Sequence, residues 1–268
     1  MSRHPVTVTE TGDVRFLTTH PTLALVARTL CQSLGPGTER FGPTDIWLGA
    51  HRTRKVARTP GRRLIIVQTE QILDAEGNRI ETKVSRGRIA RMALGADLFV
   101  EWNPQNRPHY GLLPHLLPRR FLFGPYVFPS VPPPRKPGNG LVFIGAMTPR
   151  RRSVLKTLPE PRRPSDRASG EEIDRLVSEG AAMLNIHSLP GTYTEVPRLL
   201  MACLAGKPLV SEPLGAPFDN AGAYLTLDVA RAEGGLDAAA LDAGHAGLSA
   251  LARRYPVTEM LRCAHRHR

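Results

Sequence analysis

The stretch LVFIGAMTPRRRSVLKTL, residues 141–158, opens as an uncharged apolar run, passes through small residues and a Thr-Pro pair, and then sets three arginines in a row. Residues 141–146 read as a buried strand, and Thr148 as cap followed by Pro149 at the first helical position read as a helix start. A strand that leads through a tight turn into a helix aims unpaired backbone N–H groups and the positive end of the helix dipole outward, which suits an anion. Gly145 and Ala146 permit close approach, and the guanidinium groups of Arg150, Arg151 and Arg152 can grip phosphate with two parallel hydrogen bonds each. Cations at a helix N-terminus are disfavoured by roughly 0.3–1 kcal/mol each, so something anionic is expected to offset them. Three successive helix positions cannot all face one way, and Arg150 and Arg151 are the two expected to reach a ligand. The run reads equally as a solvated face of an arginine-rich chain.

Working outward, the same alternation of strand and helix fills both sides. Upstream, residues 13–19, 44–51, 62–70, 96–103 and 119–127 are short apolar runs suited to strands. Residues 20–35 and 85–96 are helix-like, the second with Ser85 as N-cap. Downstream come helix 171–181, strand 182–187, helix 194–206, strands 207–212 and 223–228, and a helical remainder with a basic end. Such alternation predicts an α/β fold with parallel sheets and a ligand at the carboxyl ends of the strands. Between the halves lies FPSVPPPRKPGNG, residues 128–140, whose prolines and glycines exclude regular structure and predict a stiff linker. Two α/β domains are expected, 1–130 and 131–268.

Residues 184–212, LNIHSLPGTYTEVPRLLMACLAGKPLVSE, hold a second constellation. Asn185 and His187 sit at the carboxyl end of a strand. Glu195 and Arg198, three apart, share one face of the next helix, and Ser211 and Glu212 finish the strand after it. Each has a plain structural alternative: a satisfied histidine at a strand end, a simple helix ion pair. Their convergence on one crevice carries more weight than any member.

The formal charge of +12 over 268 residues draws the chain toward polyanions such as nucleic acid, an anionic membrane surface or phosphorylated small molecules. Three widely spaced cysteines give neither a disulfide framework nor a zinc site, and no apolar leader or spanning segment is visible, so a cytoplasmic protein is expected. No Asp-x-Asp, His-Glu-x-x-His or clustered His/Cys set offers a metal site. No Gly-x-Gly-x-x-Gly follows the first strand, which sets aside a dinucleotide-dependent dehydrogenase or epimerase.

The pair of stretches FIGAMTPRR and LNIHSLPGTYTEVPRLLMACLAGKPLVSE resembles the nucleotide-sugar-binding half of GT-B-type glycosyltransferases, in particular bacterial members with an FxGxxxxRR turn. The resemblance covers about a quarter of the chain. It implies two Rossmann-like domains facing a cleft, with the C-terminal one shortened between helices 149–158 and 171–181 as if a strand were trimmed away. It also implies a donor site at Gly145, Arg150, Arg151, His187, Glu195, Arg198 and Glu212. The family's helix carries a Glu-x7-Glu pair, and the position matching the second glutamate is Met201, which leaves Glu195 or Glu212 to hold the ribose. In the first half LIIVQTEQI, residues 64–72, resembles the strand end of the same relatives and offers Glu70 as general base, with His51, Asp97 and His109 as weaker alternatives. Asn103, Asn106 and Tyr110, in EWNPQNRPHYG, are candidate acceptor contacts.

The resemblance thus implies an enzyme that moves a sugar from a nucleotide diphosphate to an acceptor hydroxyl. Arginines and helix dipole would neutralise the leaving group, with no metal and no cofactor beyond the donor. The net charge points to a polyanionic acceptor: a modified base in DNA ahead of a lipid-linked or membrane-associated glycan. The rival from another class is a basic nucleic-acid-binding protein that keeps a transferase-like fold without the chemistry.

Overall fold

A computed structural model describes residues 5–35, 37–49, 56–73, 77–79, 85–165, 168–189, 191, 194–219 and 222–266. The chain divides into two compact units, one made of residues 1–130 with 255–268 and the other of residues 131–254. The second unit therefore ends at Arg254 and does not run to residue 268 as expected. The last helix, Val257–His265, buries Val257, Met260, Leu261 and Ala264, and it packs against elements of the first unit. Among the described residues no helix is long and apolar enough to cross a membrane.

The first unit is built on a six-stranded sheet: β1 (Thr7–Thr11), β2 (Val14–Thr18), β3 (Thr44–Leu48), β4 (Arg63–Gln68), β5 (Leu98–Glu101) and β6 (Phe121–Phe123). Only β1 is antiparallel to its neighbour; it turns into β2 at Gly12, whose φ of 53° is open to glycine at no steric cost. Leu17, Trp47, Ile66, Phe99 and Phe121 stand in register across five strands and share one core with Ile89 and Ala93 of helix α2 (Arg86–Gly95). Their neighbours Phe16, Ile46, Ile65 and Leu98 face the other way and are equally buried. Apolar runs buried on both faces are the mark of a covered parallel sheet. Helix α1 (Pro21–Leu34) packs along β1 and β2, and the C-terminal helix packs against α1, β4 and β5. Among the described residues the strands follow chain order throughout, without the reversal of strand order of a doubly wound sheet. The hairpin partner β1 occupies the side of β2 where a second half would be added.

In the second unit β7 (Leu141–Phe143), β8 (Ala182–Asn185), β9 (Leu209–Ser211) and β10 (Leu225–Thr226) form a parallel sheet in that spatial order. The first unit also holds the short helix α3 (Leu113–Leu116), and the second holds α4 (Pro149–Leu155), α5 (Gly170–Glu179), α6 (Val196–Ala205), α7 (Leu227–Arg231) and α8 (Ala238–Ala252). Beyond β7 a single residue, Arg162, pairs in parallel with Val142: Phe143 N–H donates to Arg162 O and Arg162 N–H to Leu141 O, at 3.0 and 2.8 Å. With Arg162 counted as a strand reduced to one residue, the order is the doubly wound 2-1-3-4-5, and the chain reverses direction across the sheet between β7 and β8. Leu155 and Leu158 after β7 share a core with Leu141, Phe143, Leu184 and Val210, while α5 lies beside α6 and α6 beside α8 and β8.

The proline-rich stretch forms no helix or strand, as expected, but it is strapped to the second unit. Buried Lys207 donates from Nζ to the carbonyls of Lys136 and Pro137 at 3.1 and 2.7 Å, Lys136 N–H reaches Gly206 O at 2.9 Å, and Asn139 N–H reaches Glu179 O at 2.8 Å. Gly206 sits at φ 67°, and a Cβ there would meet Pro134 O at 2.3 Å, so the turn and the strap require glycine together.

Candidate functional site

The reversal between β7 and β8 places the carboxyl ends of two adjacent strands where the crossovers diverge, the usual position of a crevice in open α/β sheets. Thr148 caps α4 by accepting from Arg151 N–H, as its sequence predicts. Arg150 and Arg151 both turn toward β8 while Arg152 is exposed. Arg151 is only 4% exposed; its Nε donates to Ile186 O at 2.9 Å, one Nη to Ala146 O at 2.9 Å and the other to Glu195 at 2.5 Å. Arg198, in the first turn of α6, donates to Ile144 O at 2.7 Å and Asn185 Oδ1 at 2.8 Å, and pairs with the second oxygen of Glu195. The two guanidinium carbons lie 5.5 and 5.2 Å from the centroid of the Phe143 ring. Gly145, at φ 154°, leaves the room this needs: a Cβ there would stand 2.8 Å from Arg198 Nη2.

This geometry corrects one expectation. Both arginines of the turn were expected to reach a ligand, yet Arg151 is buried and shares Glu195 with Arg198 as part of the scaffold. Arg150 differs. Its side chain keeps 28% of its surface, and it grips Glu212 with both Nη groups while one also donates to His187 O at 2.9 Å. Glu212 in turn accepts from His187 N–H at 2.7 Å. Burial alone would raise the Glu212 carboxyl, but the Arg150 and His187 hydrogen bonds prevail and hold it below the usual carboxylate range. Burial lowers the His187 imidazole, and since a carbonyl only accepts, its Nε2 carries the proton toward Pro213 O at 2.8 Å. Asn185 is fully buried and donates to Ser211 Oγ at 3.0 Å, tying β8 to β9 below the site. Among the described ion pairs of the cluster, three guanidiniums meet two carboxylates, Glu195 and Glu212. All seven residues expected at the donor site therefore lie at one edge of one sheet.

In the first unit Glu70 lies two residues beyond the end of β4, half-buried, with its carbonyl accepting from Asn106 Nδ2 at 2.9 Å. Asn106 is fully buried, and its Oδ1 takes the N–H groups of Ile72 and Leu73 at 2.7 and 3.1 Å. Tyr110 is buried and donates its hydroxyl to Glu101. Asn103 is buried, and its N–H reaches the same carboxyl at 2.8 Å. The three expected acceptor contacts thus belong to an interior network, which corrects their reading as ligand-facing loop residues. Asp97 directly precedes β5, at the amino ends of the strands, pairs with Arg58 and Arg63, and accepts from Leu64 N–H at 2.8 Å; His109 is buried, and His51 lies outside the described residues.

The residue that the sequence reading missed is Glu101, the last of β5 and fully buried. A charged residue closing an otherwise apolar central strand was the available signal. Burial pushes its carboxyl up to about 8, against the hydrogen bonds from Tyr110, Asn103 N–H and Asn106 that favour the ionised form. The sign follows from proton counts: between about pH 4.5 and 8 the folded state holds a proton that the unfolded state has lost, so stability falls as pH rises. Between pH 6 and 7.5 the wild type is expected to lose about 2 kcal/mol relative to Glu101→Gln, at ~1.4 kcal/mol per pH unit. Urea unfolding at several pH values reads this directly, and parallel profiles for the two proteins would show Glu101 ionised in the fold.

Among the described residues no three His, Cys, Asp or Glu side chains converge as a metal-ligand set. No family model matches the chain, and no curated protein matches it. Among solved structures it is similar to TarM, at 12% identity and a TM-score of 0.39 over 88% of this chain and 57% of that one. It is also similar to a mutant of S. aureus TarM in complex with fondaparinux, alpha-GlcNAc-glycerol and UDP, at 12% identity and a TM-score of 0.43 over 93% of this chain and 58% of that one. The chain thus spans less than two thirds of the length of either match.

Proposed function

We propose that the chain is a glycosyltransferase that moves a sugar from a nucleoside diphosphate to an acceptor hydroxyl. The observation that carries this reading is the pairing of accessible Arg150 with Glu212, beside a buried frame of Arg151, Arg198 and Glu195. A diphosphate entering the crevice would exchange with Glu212 for the Arg150 fork, a bidentate contact of the same geometry. Glu212, released but still held by His187 N–H, would then accept from a ribose hydroxyl, the task that Met201 cannot perform. The Arg150 fork and the positive end of the helix dipole would stabilise the departing diphosphate without a metal. Glu70, at the carboxyl edge of the first unit's sheet, is the proposed general base, and the net charge of +12 favours a polyanionic acceptor.

UDP or GDP at 100 times its dissociation constant is expected to stabilise the protein by about 2.7 kcal/mol in the presence of EDTA, seen as a rise in Tm. Arg150→Ala should keep the fold, because the side chain is the accessible member of the cluster, and weaken nucleotide binding by roughly 1.5–3 kcal/mol. A shift that needs Mg²⁺ or Mn²⁺ would overturn the arginine-based neutralisation. No shift with any nucleoside diphosphate would overturn the transferase reading itself.

A further inference from the structure

The opposite, amino-terminal edge of the first unit's sheet holds a cavity of about 650 Å³ that none of the chemistry above uses. It is lined by Arg40, Arg58, Arg62, Arg63 and His265, and its volume lies in the range of small-ligand sites. We propose that it is a second anion site, built to take phosphate groups.

The local charge balance points that way. Asp45 is buried and takes Arg15 at 2.8 Å and Arg62 at 2.5 Å, together with the Thr59 hydroxyl at 2.6 Å. Asp97 takes Arg58 at 2.6 Å and Arg63 at 3.5 Å. Glu10, the cross-strand partner of Arg15, adds a third carboxylate, so among the described residues three carboxylates answer four guanidiniums, and Arg40, exposed and 4.9 Å from the Phe41 ring centroid, adds a fifth. Two positive charges are left over around one depression, and their mutual repulsion falls when a phosphate enters.

The frame is rigid where it must be. Thr59-Pro60-Gly61-Arg62 is a tight turn closed by Arg62 N–H to Thr59 O at 3.2 Å, with Gly61 at φ 75°, the conformation that a Pro-Gly pair favours. The turn sends the Arg62 side chain back over the strand starts, where one Nη donates to Asp13 O and Thr44 O at 2.6 and 3.0 Å. Opposite it, His265 of the C-terminal helix meets Thr44 Oγ1 at 3.0 Å. Arg58, with 52% of its side chain exposed, and Arg40 remain the groups able to reorient onto a ligand. The site lies a strand length, about 20 Å, from Glu70, so it holds a ligand and does not react with it.

The test titrates inorganic pyrophosphate and, separately, a ten-nucleotide single strand of thymidylate into three proteins, all carrying Arg150→Ala to silence the other arginine cluster. These are the Arg150→Ala parent, the same with Arg40→Gln and Arg58→Gln, and a charge-matched control with Arg119→Gln and Arg175→Gln at exposed positions outside the cavity. Affinity should fall about tenfold or more with the cavity pair and stay within about twofold with the control. Tighter pyrophosphate binding identifies a free phosphorylated ligand, and tighter oligonucleotide binding identifies a phosphodiester strand; either upholds the site. No binding by the parent, or equal losses in the cavity and control variants, overturns it. Arg40→Gln alone, which removes an exposed group only, should move affinity in the same direction and guards against misfolding of the double variant. Loss of the UDP-dependent Tm shift on Arg150→Ala, with the cavity intact, reads the other cluster alone, so the two readings fail separately.

Discussion

Glu70→Gln is expected to lower sugar transfer by about a hundredfold or more while nucleotide binding persists, the usual consequence of removing a general base. The substitution keeps shape and hydrogen-bonding capacity and abolishes basicity. It should also leave the local backbone in place, because the turn after β4 is held by Asn106, which binds the Glu70 carbonyl and the N–H groups of Ile72 and Leu73. A carboxylate that served only as an ion-pair partner would show the opposite pattern, a change in stability with turnover intact. Transfer at near wild-type rate in the Gln variant would move the base elsewhere. Of the three alternatives, Asp97 is already engaged at the amino ends of the strands and His109 is buried, so His51 would be the next residue to substitute.

What the sequence disclosed follows the range of the interactions involved. The strand, turn and capped helix of residues 141–155 depend on neighbours a few positions apart, and Thr148, Pro149 and Gly145 announce them. The Ser85 cap was legible for the same reason, its hydroxyl accepting from Arg88 N–H three residues on. Strand β1, TVTET, was not, because it is a mostly exposed edge strand with no apolar face to give it a period. The strand reduced to Arg162 could be suspected from the short spacing between two helices, but its pairing with Val142 is tertiary. Predicted strand 223–228 shrinks to two residues because Thr226 caps α7 by accepting from Val229 N–H, a signal hidden in an apolar run. Partners far apart in sequence were invisible: Lys207 to the carbonyls of 136 and 137, and Tyr110 to Glu101. That is why residues 103–110 read as a polar loop when they form a buried network.

The sequence reading set Arg150 and Arg151 side by side without dividing their labour, and a second substitution tests such a division. Glu195→Ala is expected to destabilise the second unit by about 3 kcal/mol, the lower end of the ~3–5 typical for breaking a buried ion pair. It strips the shared carboxylate from Arg151 and Arg198, which are 4% and 8% exposed and held in place by the carbonyls of Ile186, Ala146 and Ile144. Neither guanidinium can swing out to water without breaking those bonds. Glu195 itself is 19% exposed, so water recovers part of the loss, which sets the expectation at the lower end. Glu212→Ala should cost about 1 kcal/mol, near the top of the range for accessible pairs, because the Arg150 head can rehydrate; what it leaves behind is one His187 N–H. Urea unfolding of the two variants at neutral pH measures the difference. A gap of about 2 kcal/mol marks Glu195 as frame and Glu212 as the exchangeable counter-ion, whereas equal costs would mean that Arg150 is as fixed as its neighbours and has no fork to offer a diphosphate.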